Sequence, residues 1–131
     1  MNIKKIALTG ALALATLASV GAAQLPDKDK QFLAGYEKIH TALVADDLSA
    51  AKAAGKDLGS EGGDVANASS LKDARAGFEK LSDRAKSLAS GQPGYHVLHC
   101  PMLKKDWVQT STAVANPYGG KEMVTCGEEK K

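Results

Sequence analysis

The chain has 131 residues, 44% hydrophobic but only 5% aromatic, with 17 Lys and Arg against 15 Asp and Glu. That length fits one domain with a modest core. Charges of both signs are scattered along it, which excludes the concentrated positive footprint that nucleic acid requires.

Lys4 and Lys5 form a short positive region, and the apolar run IALTGALALATLASV follows. Gly21-Ala22-Ala23 then supplies the small residues of a cleavage site, so residues 1–23 read as a signal peptide and 24–131 as one exported domain. The apolar run is too short to span a bilayer, and the mature chain is expected to be periplasmic with no integral membrane segment. Losing Lys4 and Lys5 leaves 15 basic residues against 15 acidic ones, a formally neutral domain.

Residues 27 to about 90 are rich in Ala, Lys, Leu and Asp, and no proline follows Pro26 until the tail. In the first predicted helix, over 28–45, Phe32, Tyr36, Ile39 and Leu43 recur at helical spacing, with Leu33, His40 and Val44 at the border. His40 reads as a boundary residue. A turn with Asp46 or Asp47 as N-cap leads into a second, alanine-faced helix bearing Leu48 and Leu58. Gly59 to Ser70 is a connection with room for a short helix. Leu71, Ala74, Phe78, Leu81, Ala85 and Leu88 mark a further helix, with Ser70 and Asp73 as a capping box and Gly91 and Pro93 as its stop. Each apolar face needs a partner, so the expected class is all-α: a small antiparallel three- or four-helix bundle with an irregular C-terminal segment.

That segment, residues 94–127, holds both cysteines. GYHVLHCPM contains Cys100, and MVTCG contains Cys126, with Met102, Met123, His96 and His99 close by. Soft sulfur ligands favour Cu(I), and imidazole can complete such a site. Two or three sulfurs from Cys100, Met102, Met123 and Cys126, with His99 or His96, make a chemically coherent metal set. The competing reading is a disulfide. An oxidising compartment permits one, and closing a loop of about 25 residues contributes about 3.5 kcal/mol by the chain-entropy estimate. Trp107 and Tyr118 are expected to pack the tail onto the helices. Asn116-Pro117-Tyr118-Gly119-Gly120 is expected to turn the chain so that Met123 and Cys126 face Cys100.

HCPM, DW, NPYGGKEM and TCG, together with TALVADDLSAAKAA, resemble a family of small periplasmic helical domains of unassigned function. Such domains also occur joined to adaptor subunits of heavy-metal efflux pumps of the RND type. The likeness covers nearly all of the mature chain. It implies binding, delivery or sensing of copper or another heavy metal, with efflux or metallochaperone proteins as partners. The HCPM motif also makes His99 the better histidine ligand, with His96 second on strand parity. One departure is that LKKD joins Met102 to Trp107 directly, where the family carries a longer glycine-containing segment.

No nucleophile elbow, CxxC or CxxCH appears, and Gly119-Gly120-Lys121 lacks the spacing of a phosphate loop. The reading is therefore a non-enzymatic protein with a Cu(I) site built from Cys100, Met102, Met123, Cys126 and His99. The alternative is a disulfide-stapled, metal-free interaction module of an envelope complex.

Overall fold

The computed structural model describes residues 24–131. The predicted leader, residues 1–23, lies outside the described residues. Three longer helices occur close to where the apolar periodicity puts them: α1 (Asp27–Val44), α2 (Leu48–Asp57) and α4 (Leu71–Ala89), with a single-turn α3 (Gly63–Ala66) in the connection. Asp47 caps α2 by accepting from Ala50 N at 2.9 Å, and Ser70 caps α4 by accepting from Asp73 N at 3.1 Å. A 3₁₀ turn, Gly59–Gly62, precedes α3, and a Cβ at Gly62 would collide with the Gly55 carbonyl, so the chain packs backbone against backbone there.

The all-α class is corrected by the tail. Residues beyond α4 form β1 (His96–Cys100), β2 (Lys105–Gln109) and β3 (Glu128–Glu129), an antiparallel sheet of order β2-β1-β3. Among the described residues the fold is mixed α/β, four α-helices with a three-stranded sheet. Two features hid it. Pro101 lies in the β1–β2 turn, outside either strand, so it breaks no ladder. In β2, Trp107, Val108 and Gln109 are all buried, which erases the period-2 signature of a half-buried strand. Helix α4 packs along β2, and the loop after β2 folds back over Gln109, whose Nε2 donates to Ser111 O (2.7 Å) and Ala113 O (2.6 Å).

The free edge of β2 is closed by side chains from three other segments. Val108 N donates to Tyr36 Oη (3.1 Å), and Tyr118 Oη donates to Asp106 O (3.0 Å). Between them Ser82 Oγ lies 2.7 Å from Tyr36 Oη and 2.9 Å from Tyr118 Oη. An N–H can only donate and a carbonyl only accept. The chain therefore runs one way, Tyr36 to Ser82 to Tyr118, with each hydroxyl donating once and accepting once. This satisfies two edge groups and ties the sheet to α1 and α4.

The core unites both halves. Tyr36 stacks on Phe78 with centroids 4.5 Å apart, Phe78 meets Tyr118 at 5.7 Å, and Tyr118 meets the fully buried Trp107 edge-on at 6.3 Å. His40 is buried among these residues, a correction to its boundary placement, and its Nε2 donates to Ala115 O at 2.7 Å.

Candidate functional site

Cys100 and Cys126 are joined as a disulfide with Cα atoms 5.5 Å apart. Strand parity turns Cys100 inward beside Leu98, and both are buried. The Asn116 turn delivers the second cysteine. Asn116 Oδ1 accepts from Tyr118 N (2.9 Å) and Gly119 N (3.0 Å), while its Nδ2 donates to Cys126 O (2.9 Å). Gly120 adopts φ +57°, and a Cβ there would run into Asp46 and Arg75, so glycine is required at the point where this turn touches the helices.

Of the other residues proposed as copper ligands, His99, His96 and Met102 are engaged or exposed elsewhere. His99 points to the opposite face of β1, where its Nδ1 lies 2.6 Å from Asp106 Oδ1. His96 Nδ1 lies 2.8 Å from Glu129 Oε1. Met102 sits on the β1–β2 turn and is 76% exposed. Met123 is partly buried against the core, one tight turn from Cys126, whose N donates to Met123 O at 3.0 Å. A sulfur in a disulfide is no thiolate, so the two strongest soft donors are already spent. Among the described residues no group of three or more His, Cys, Asp or Glu side chains is placed to hold a metal ion. With Cys100 and Cys126 joined, neither supplies the thiolate that the expected Cu(I) set of Cys100, Met102, Met123, Cys126 and His99 assigned to it.

Two clefts flank α4 where it meets the β1–β2 turn. The smaller, about 230 Å³, is charged. Its centre is Asp106, which accepts from His99, Lys130 (3.0 Å) and Lys86 (3.2 Å). Partial burial would raise the pKa of this carboxyl. The hydrogen bonds from His99, Lys130 and Lys86 and the positive charge of Lys86 outweigh that, and hold it at about 2. No hydroxyl or thiol lines this cleft, and its Asp–His pair works as a fastener between β1, β2, α4 and Lys130.

The larger cleft, about 430 Å³, went unseen in the sequence. One wall is the face of α4 bearing Lys72, Arg75, Ala76 and Glu79, and the other is Leu103, Lys105 and Tyr118. Arg75 anchors this corner. Its Nε donates to Pro117 O (2.8 Å), and one terminal nitrogen donates to Leu43 O (3.0 Å) and to Asp46 Oδ1 (2.6 Å). The Asp46 carboxyl is held below its ordinary pKa chiefly by that Arg75 hydrogen bond. Residues 72, 75, 76 and 79 do share a helical face, a spacing readable in advance. The opposing wall exists only once the hairpin docks.

Fold and site together define a small disulfide-stapled α/β domain with a cleft of mixed charged and apolar lining between α4 and the β1–β2 turn. Comparisons of the chain with protein-family models, with curated proteins and with solved structures found no match. Among the described residues no helix is long and apolar enough to cross a membrane.

Proposed function

We propose that this protein is a non-catalytic, disulfide-stapled interaction module of an envelope complex, working in the periplasm after export by its leader. The observation that carries this reading is the Cys100–Cys126 bond, which occupies both thiols and pins the tail to strand β1. The bond also agrees with an oxidising compartment, as the apolar segment after Lys4 and Lys5 does independently. Heavy-metal efflux assemblies are the partners that the motif resemblance suggests.

The test is a thiol count and native mass spectrum of protein taken from its exporting compartment, before and after anaerobic Cu(I) addition. The module reading expects no free thiol, a mass two hydrogens below the reduced chain, and no copper retained. Two free thiols with one retained copper, lost when either cysteine is replaced by serine, would overturn it in favour of a metal carrier.

A further inference from the structure

The interaction-module reading rests on the Cys100–Cys126 bond, and the two sulfurs of that bond stand in unlike surroundings. Cys100 is fully buried in β1, while Cys126 is only partly buried, with exposed Thr125 before it and exposed Glu128 two residues after. Leu103 N donates to Cys100 Sγ at 3.4 Å, from the turn that Lys104 N closes on Cys100 O (2.8 Å). Thiol–disulfide exchange needs an approach to one sulfur and a stabilised thiolate on the other. The partly exposed Cys126 offers the approach. An N–H already aimed at Cys100 stabilises the negative charge that would appear there.

The tail beside Cys126 also covers the core. A Cβ on Gly127 would lie 2.6 Å from the Trp107 ring and 2.9 Å from Val114, so the backbone there rests directly on the buried indole. Ties other than the disulfide hold this arm as well. Asn116 Nδ2 donates to Cys126 O (2.9 Å), and Lys130 N donates to Val97 O (2.8 Å). They keep the two sulfurs close when the bond opens.

We infer that Cys100–Cys126 is a directional redox latch, opened by a dithiol that enters at Cys126. One thiol of the reductant loses its proton to water, and its thiolate attacks Cys126 Sγ to form a mixed disulfide. The electron pair of the broken bond leaves on Cys100 Sγ, under the Leu103 N–H. The second thiol of the reductant gives its proton to water and attacks its own partner sulfur, which releases Cys126 as a thiolate. Both protein thiolates then take up protons. The dithiol ends as a disulfide, the protein as two thiols, and two electrons have passed. Opening loosens the arm over Trp107, and the same exchange run backwards with a disulfide closes it again.

The test treats disulfide-intact protein with neutral dithiothreitol or anionic dihydrolipoate, in native buffer at low salt. Free thiols are counted after acid quenching, while Trp107, the one tryptophan of the chain, reports the arm by its emission. The opening rate is expected to rise in proportion to dithiol concentration. The emission should move to longer wavelength in step with the thiols and return in oxidised glutathione. Charges placed at exposed positions then locate the entry. The ratio of dihydrolipoate to dithiothreitol rates should differ at least about threefold between Thr125→Lys and Thr125→Asp, beside Cys126. It should stay unchanged between Met102→Lys and Met102→Asp, on the turn after Cys100. A rate that levels off at the global unfolding rate overturns the latch, as does an emission that ignores opening. A charge effect larger at 102 than at 125, or absent at both, overturns it as well. The thiol count before any reductant is added judges the module reading separately. A protein isolated with its bond intact that fails these tests sinks only the latch.

Discussion

Residues 27–89 bury apolar side chains at spacings of three and four, and their helices meet through Phe32, Tyr36, Ile39, Leu43 and Phe78. Residues 96–129 bury Leu98, Trp107 and Val108, but also Gln109, Asn116 and a disulfide. The first region is held by contact area, which is non-directional and tolerant of small errors. The second has few large apolar residues and is held by a covalent link and by polar groups that each reach a named partner. Polar satisfaction is all-or-none, because a buried group without its partner costs more than the bond contributes. The two regions should therefore fail in different ways.

The largest effect is expected where they meet. Phe78→Ala removes the ring between Tyr36 and Tyr118 and should cost about 3–5 kcal/mol in urea unfolding, with both regions lost in one transition. Two separate transitions would show that the halves are independent. Replacing both cysteines by serine should cost about 3.5 kcal/mol, and amide exchange should accelerate over 111–129 while α1 and α4 stay protected. Uniform acceleration would mean that the staple supports the helices as much as the tail.

Tyr36→Phe keeps the stacked ring but leaves Val108 N–H without its acceptor and breaks the hydroxyl chain at Ser82. A loss of about 1–3 kcal/mol is expected, and a loss near zero would remove the edge seal from the account.

The smallest effect concerns acid. The carboxyl of Asp106 titrates at about 2 in the folded chain and at about 3.9 when unfolded. A depressed carboxyl contributes stability above its unfolded pKa and loses that contribution as pH falls through the folded value. The fastener should therefore weaken between about pH 4 and pH 2. Solvent screening limits its worth to about 1 kcal/mol. Comparing unfolding midpoints of the native protein and Asp106→Asn across that window checks this. The difference between them should shrink as pH falls, and a constant difference would assign the effect to other carboxylates.

The positions of the longer helices were legible because amphipathic periodicity and capping are local. The stripe through Phe32, Tyr36, Ile39 and Leu43 and the caps at Asp47 and Ser70 need no knowledge of the rest of the chain. The return of the chain at Asn116 was equally local. Chemistry at the cysteines was legible only as a choice, since a thiol pair near methionines suits either copper or a disulfide until its geometry is known.

The tertiary structure decided the rest. It made KDWVQ a strand covered on both sides, turned His99 away from Cys100 toward Asp106, and left Met102 in solvent. It also raised the β1–β2 turn against Lys72, Arg75 and Glu79 to create the cleft. Sequence alone determined which segments coil and where they stop, because those interactions lie within a few residues. Which face each strand residue presents, and which cations share a wall, depends on contacts between segments distant along the chain, and only their docking determines it.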